Sequence, residues 1–532
     1  MKIKQWIYVL ILVGVLLAPF SCSDNFLNQT NTQAASQDVL FKKSDDGVAI
    51  VTSIYDTFHN TDFMIKAIWY QANFLSQDFK NYGADTFFET YEVPSGFAAL
   101  ETMWTRSYTG ISRANSAIPI LAQMKEKGYM TAELADRLTG EAYFLRGVFY
   151  YYLASNFGGV PIELSSVTTG LAPKSTQDEV FTQVASDMTT AASLLPWPQD
   201  LAAADVGRAT KGAALAYLGD AQMWLGKYAD AVTTYNQLDS KYTLEHNFLD
   251  IHRFLNQNGK ESIFEIQFIE SANMSWGANN NNQWVSTFSM PWEITQFGYS
   301  YADKKLHDSF EVGDARRIAT VIGPDDVHPD TACQIKKYPQ VVSGFASTDP
   351  VKKARYTGPD GNIINTCGSL INFFDNTKDN IWMGDDHLRS GYYGVKNWRD
   401  PKGIGNSGAV AYIFSSQNEV MMRYGQVLLS KAEALFKSGN SAAALDIVNN
   451  QIRNRAGLGA AAGTDVMEII LEEYRHELAG EFSLWFVLRR SGEHIKFVKE
   501  RYGIDVPNGK DLMPIPQAEV SLNPNLKQNP GY

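Results

Sequence analysis

The sequence predicts a mainly α-helical protein: a scaffold of tetratricopeptide-type helical hairpins with a large, irregular, loop-rich half packed against it. Three observations carry this. Two separated strings have the layout of paired helices with a glycine at the turn, at Leu218 to Ala231 and at Ala432 to Val448. One long helical run, Tyr143 to Leu153, is apolar nearly all round. Between the two hairpins, over about residues 240–415, helical periodicity disappears and Gly, Asn, Asp and Pro become frequent.

From the amino terminus, Lys2 and Lys4 precede an apolar run from Trp6 to Phe20 and then Cys22, the layout of an export signal over residues 1–21. The run is marginal for a membrane span, and nothing later in the chain is long and apolar enough to be one. A cysteine directly after a small residue at the end of such a run resembles a lipoprotein processing site, with Cys22 acylated, although Pro19 and Phe20 depart from the common pattern. Ordinary signal cleavage, with Cys22 lost or unmodified, is the alternative. More than one acyl chain on Cys22 gives a stable membrane anchor, and residues 22–36, being polar, serve as its tether.

Amphipathic helices are expected at about 101–125, 132–156, 177–194 and 466–500. The apolar run Tyr143 to Leu153 makes the second of these buried on most sides. In the first hairpin Gly226-Lys227 marks the turn, and Ala231, Tyr235 and Leu238 continue an apolar stripe on the second helix. In the second hairpin Gly439 ends one helix and Ser441 caps the next. The irregular region between them holds too many aromatics to stay solvated and is expected to fold back over the helices. Loops on rigid scaffolds commonly carry binding function.

The formal charge is −12. That argues against nucleic acid, which asks for a basic face. After Cys22 only Cys333 and Cys367 remain, too few for a disulfide scaffold; they either pair in an oxidising compartment or stay as two thiols. Gly403 to Gly408 satisfies the dinucleotide-loop pattern, but Arg399-Asp400-Pro401-Lys402 stands where a buried strand is required, so it reads as a loop and no cofactor is expected. His476-Glu477 lacks the second His of a zinc-protease helix and reads as a helix-surface ion-pairing residue. Asp325-Asp326 and Asp385-Asp386 are of a kind that helps bind calcium in loops, with a solvated loop as the default and no metal assigned. No Gly-x-Ser-x-Gly elbow occurs, and no catalytic residue is nominated.

Several stretches together resemble the SusD/RagB family of outer-membrane lipoproteins, nearly end to end. They include Cys22-Ser23-Asp24-Asn25-Phe26-Leu27, Arg113-Ala114-Asn115, Glu141-Ala142-Tyr143-Phe144-Leu145-Arg146 and Asn156-Phe157-Gly158-Gly159-Val160-Pro161. Further along come Gly207-Arg208-Ala209-Thr210, Arg453-Asn454-Arg455-Ala456-Gly457, Glu472 to Glu481, and the terminal Met513-Pro514-Ile515-Pro516 with Asn529-Pro530-Gly531-Tyr532. Tyr474, Trp485 and Phe486 depart from the family's usual residues and bear on packing of the C-terminal helices. The resemblance implies one SusD-like domain over residues 37–532, with the helical scaffold at about 37–240 and 416–532 and the ligand-binding half at about 241–415. It also implies a surface-exposed, lipid-anchored place in the outer membrane and a SusC-like TonB-dependent barrel as partner. It implies capture of an oligo- or polysaccharide without catalysis. Peptide capture on the same architecture and, less expected, a surface glycoside hydrolase are the alternatives.

With 11 Trp and 26 Tyr in the chain, most rings must be core, so only their clustering informs function. Trp276, Trp284, Trp292, Phe297, Tyr299 and Tyr301 cluster around Asn279 to Gln283, so that Asn279 and Asn280 lie among them. Flat rings receive the C–H faces of sugars while amides and carboxylates bond the hydroxyls. A second patch holds Asp78, Tyr82, Phe87, Phe88 and Tyr91, in a loop of the kind the family's ligand face draws on. Trp382 and Trp398 follow, in Gly- and Asp-rich surroundings. Each ring has core packing as its alternative. Phe144, Tyr150, Tyr151 and Tyr152 belong to the buried run and are excluded.

Overall fold

The computed structural model describes residues 41–81, 85–268, 289, 299–322, 392–397 and 417–532. Cys22, Cys333, Cys367, the two acidic pairs and the 403–408 loop lie outside the described residues. The chain begins with helix α1 (Ser44–Tyr55) and α2 (Tyr70–Phe74), the latter continuing a π-helical stretch over Asp62–Trp69. Strand β1 (Phe79–Asn81) follows, then the long helices α3 (Ala98–Glu126), α4 (Ala132–Phe157) and α5 (Gln177–Leu194). Next come α6 (Lys211–Trp224), α7 (Tyr228–Asn236), β2 (Ser262–Ile266) and β3 (Ser300–Ala302). Two short helices, α8 (Lys304–Ser309) and α9 (Ala315–Thr320), lead to β4 (Val321–Ile322), β5 (Tyr393–Gly394) and β6 (Glu419–Arg423). The remainder is helical: α10 (Tyr424–Lys437), α11 (Ser441–Ile447), α12 (Val466–Leu478), α13 (Leu484–Ser491), α14 (His494–Tyr502) and α15 (Gln517–Leu522).

Helices α4 and α5 begin where their caps say. Thr131 accepts from the Leu134 amide at 3.2 Å at the start of α4, and Thr176 with Glu179 forms a capping box at the start of α5. As expected, α4 is buried on nearly every side: Phe144, Leu145, Phe149 and Tyr150 are fully enclosed, and Tyr151 and Tyr152 nearly so. It packs against α3 and α5 through glycines. A methyl on Gly110 would lie 2.2 Å from the Phe149 ring.

Both helical hairpins form. In α6/α7, Ala231, Tyr235 and Leu238 are buried as the stripe predicts, and Gly226 turns the chain at φ +68°. In α10/α11 the turn glycine is Gly439, at φ +86°. The cap there is Asn440 rather than Ser441: its side chain accepts from the Ala443 amide at 3.1 Å. Residues 466–500 form three helices instead of one, because Gly480 and Gly492 adopt left-handed φ angles of +83° and +82° that stop α12 and α13 from running on.

The strands are short and form antiparallel pairs: β1 with β3, β2 with β6, and β4 with β5. Among the described residues so little ladder cannot by itself hold the irregular segments. A buried ionic hub on and just after α12 does. Arg423, at the end of β6, donates to Glu477 at 2.7 Å, to Glu481 at 2.7 Å and to Glu261 at 2.9 Å. Arg316 of α9 reaches Glu473 at 2.7 Å and Asp314 at 2.7 Å. Lys396, beyond β5, donates to Glu481 at 2.6 Å. Burial opposes the charge on Glu477, but Arg455, Arg423 and Arg316 outweigh it and hold its carboxyl far below the usual carboxylate range. The hub therefore gathers segments far apart in sequence onto one helix.

His476 sits beside this hub and is buried, not a surface residue: it stacks on Phe310 with ring centroids 4.3 Å apart. Burial, reinforced by Arg316 and Arg475, holds it well below the ordinary histidine range, so it is neutral.

Candidate glycan-binding face

The two ring-bearing segments picked out in the sequence, around 78–91 and 273–301, meet directly. Strand β1 pairs with β3 in the register Phe79↔Ala302, Lys80↔Tyr301 and Asn81↔Ser300. A third irregular segment joins them, since the Ala302 amide donates to the Tyr392 carbonyl at 2.9 Å and β5 pairs with β4. Three stretches that span more than three hundred residues of sequence thus form one seam.

Its base is rigid. Gln77 and Tyr91 hold left-handed φ angles of +68° and +59°, a conformation that costs a non-glycine residue of order 1 kcal/mol and persists only where surroundings enforce it. The enforcement is visible: the Tyr91 hydroxyl donates to the Leu75 carbonyl at 2.7 Å, and the Gln77 amide donates to the Glu89 carbonyl at 3.1 Å.

The predicted ligand residues separate into two groups on this seam. Asp78, Phe88, Tyr91 and Tyr301 are buried, which corrects the expectation that they present themselves to ligand. Asp78 is consumed by Arg475, 2.8 Å away, and by the Tyr502 hydroxyl. Phe88 lies edge-on to Tyr70 at 6.0 Å and to Phe97 at 5.8 Å, and Tyr91 sits 6.0 Å from Trp485. A ring at position 88 or 91 is worth more to the core than to solvent, because the adjoining helix already offers an aromatic wall. Phe87 and Tyr299 are half-buried. Phe87 caps the wall edge-on to Phe97, with centroids 4.9 Å apart. Tyr82, Trp276, Asn279, Asn280, Trp284, Trp292, Trp382 and Trp398 lie outside the described residues.

Polar groups that the sequence did not single out surround these rings. Burial pushes the Glu89 carboxyl up, against its hydrogen bond from the Asn81 amide at 2.6 Å. Burial likewise raises Asp85 and lowers Lys80, which donates to Gln77 at 2.5 Å. Asp78 Oδ2 and the Ser300 hydroxyl are buried without a hydrogen-bond partner among the described residues, and belong to the interior of the seam rather than to its surface. The arrangement offers ring faces beside donors and acceptors of both kinds. That is equipment for holding a polyhydroxylated ligand, and among the described residues of the seam no nucleophile and base stand in a working relation.

Among the described residues the nearest approach to such a relation is away from the seam, and its geometry fails. His476 Nε2 lies 3.1 Å from Ser309 Oγ and 3.5 Å from a Glu472 oxygen, both on the same ring nitrogen. A serine relay needs the hydroxyl and the carboxylate on opposite nitrogens. Among the described residues, no group of three or more His, Cys, Asp or Glu is arranged to hold a metal ion. No described helix is long and apolar enough to cross a membrane.

Residues 260–532 match the SusD family, and residues 25–222 match a family described as starch-binding and associating with the outer membrane. A curated relative, SusD-like protein P2 of Formosa agariphila, is 25% identical over 476 residues, 81% of each chain. The solved structure of a SusD superfamily protein from Bacteroides vulgatus superposes with a TM-score of 0.72 at 22% identity, covering 93% of this chain and 100% of that one. Surface glycan-binding protein A from Bacteroides thetaiotaomicron, solved with laminarihexaose, gives 0.72 at 18% identity, covering 91% and 99%. At these identities the likeness of structure is a likeness of fold.

Proposed function

Because the chain belongs to the SusD family, we propose that it is a surface-exposed lipoprotein of the outer membrane that captures an oligo- or polysaccharide on the β1/β3 seam and delivers it to a TonB-dependent SusC-like transporter. The observation that carries the reading is the strand pairing Lys80↔Tyr301, which joins two ring-bearing segments found independently in the sequence. Half-buried Phe87 and Tyr299 then border a face to which Trp276, Trp284 and Trp292 are proposed to contribute stacking rings, and Asn279 and Asn280 hydrogen bonds. Trp382 is the proposed ring from the third segment.

The role is capture, not chemistry. Stacking and hydrogen bonds hold the sugar with little reorganisation, because the seam's base is fixed before ligand arrives. Acylated Cys22, with residues 22–36 as tether, would keep the captured chain at high effective concentration beside the barrel, so tight binding is unnecessary. Signal removal before Cys22 belongs to the same proposal.

Titration of the purified protein with plant, algal and host glycans, followed by tryptophan fluorescence and calorimetry, tests it. One glycan class is expected to bind, and Trp276→Ala or Trp292→Ala to weaken it. Phe87→Ala is expected to weaken it by about 1 kcal/mol, near fivefold. Silence across the panel, or release of reducing sugar by the protein alone, would overturn the reading. Deleting the partner barrel should stop uptake while binding by this protein persists.

A further inference from the structure

Away from the strand pair, helix α3 carries a second feature that the seam does not use. A cavity of about 480 Å³ opens between α3, the 161–170 loop and the turn around α15, within the range of small-ligand pockets. Its floor is formed by the rings of Trp104 and Tyr108, with centroids 5.2 Å apart and planes tilted by 42°. Both rings are fixed before any ligand arrives. Phe157 meets Trp104 edge-on at 5.3 Å, and the Tyr108 hydroxyl donates to the Pro161 carbonyl at 2.7 Å.

The walls are polar in a particular way. Thr105, Thr109 and Ser112 stand one turn apart along the exposed side of α3 and offer hydroxyls to the cavity. Glu163 and Glu519 bring carboxylates from the other two walls. The one guanidinium, Arg113, is already engaged by the Ser53 carbonyl and by Thr57. Two carboxylates against one committed cation exclude an anionic ligand. A purely apolar ligand would strand the hydroxyls and carboxylates. A neutral ring with an apolar C–H face and a rim of hydroxyls satisfies both floor and walls.

Helix α3 links the cavity to the seam. Phe97, the residue immediately before α3, is the ring against which Phe87 packs, and Trp104 and Tyr108 stand one turn apart further along that helix. From Ala98, its first residue, to Trp104 the helix rises about 9 Å. Resting on the saccharide reading above, we infer that this cavity is a second saccharide-binding subsite, which holds a further sugar unit of a chain whose other part lies on the β1/β3 seam.

The test compares hexasaccharides and trisaccharides of the maltose, laminaribiose and cellobiose series by calorimetry on the full-length mature protein, with crystals soaked in the hexasaccharide that binds. Two wall variants leave both floor rings in place, Thr105→Arg at an exposed position and Glu519→Gln at a half-buried one whose side chain accepts from Trp104; circular dichroism and melting check that both are folded. For the series that binds, each variant is expected to lower hexasaccharide affinity by about tenfold while trisaccharide affinity at the seam stays within twofold. Sugar density over Trp104 and Tyr108 is expected in the soak. Unchanged hexasaccharide affinity in both folded variants, with wild type binding normally, would overturn the second subsite and leave the seam reading standing. No binding of any series by wild type, with the wider glycan panel also silent, would overturn both.

Discussion

The α6/α7 hairpin and the irregular segments around the seam solve the same problem, closing a chain against a core, by different means. In the hairpin, backbone groups bond within each helix, and closure comes from small residues that let helices touch. Gly219 lies so near Tyr235 that an added methyl would sit 2.3 Å from the ring. The irregular segments have few backbone partners, since their strands are two to five residues long. They are tied down by charged side chains instead, and those charges converge on Glu473, Glu477 and Glu481. The difference teaches where each region is vulnerable. A helix pair is sensitive to volume, and a docked loop is sensitive to charge.

Removing the charge at the centre of the hub should break the comparison most sharply. Glu477→Gln leaves the buried Arg423, Arg455 and Arg316 short of a counter-charge and is expected to cost about 3–5 kcal/mol in denaturant unfolding. Loss of glycan binding should accompany it, because the segments that form the seam are the ones released.

Acidification attacks the same region. Burial lowers the pKa of His252 from 6.5 to about 4, in spite of Glu481 3.5 Å away. The unfolded chain therefore binds the extra proton between these values and the folded chain does not. This contribution to stability is complete above about pH 6.5 and is lost as pH falls toward 4, up to about 3 kcal/mol from this one group. Melting temperatures measured from pH 7 to 4 should fall over that window, and His252→Gln should flatten the decline. An unaltered slope in a folded variant would show that other groups govern it.

The hairpin should respond to volume instead. Gly219→Ala gains about 1 kcal/mol of helix propensity but overpacks Tyr235, for an expected net loss of about 1–2 kcal/mol. That loss should not depend on pH or salt, which sets it apart from the hub variants. The smallest effect sharpens a single residue's role: Asn440→Ala should cost about 1 kcal/mol through loss of the α11 cap, whereas Ser441→Ala stays within about 0.5 kcal/mol.

Legibility in the sequence follows the same division. The hairpins, α4 and the ranges of α3 and α5 were readable because helical periodicity and caps act within a few residues of one another. The single helix expected over 466–500 was wrong at Gly480 and Gly492, glycines that mark turns only once their φ angles are known. His476 was misjudged because nothing nearby in sequence foretells that Phe310 and Ser309 cover it. The hub itself left a trace in the charge-dense Glu472 to Glu481, whose spacing admits a solvated face as readily as a buried one.

For the candidate site, residue types told which segments to watch, and pairing told what each ring does. Phe87 and Phe88 are neighbours with the same chemistry, yet one edges the seam and the other is sealed. By itself the sequence determined the helical scaffold, the family resemblance and the clustering of rings in two segments, because these rest on local pattern. Only the tertiary structure decided that the segments meet at Lys80 and Tyr301, and that Asp78 and Tyr91 serve the interior. Contacts between residues hundreds of positions apart are fixed by what the whole chain can bury and pair, which no local stretch encodes.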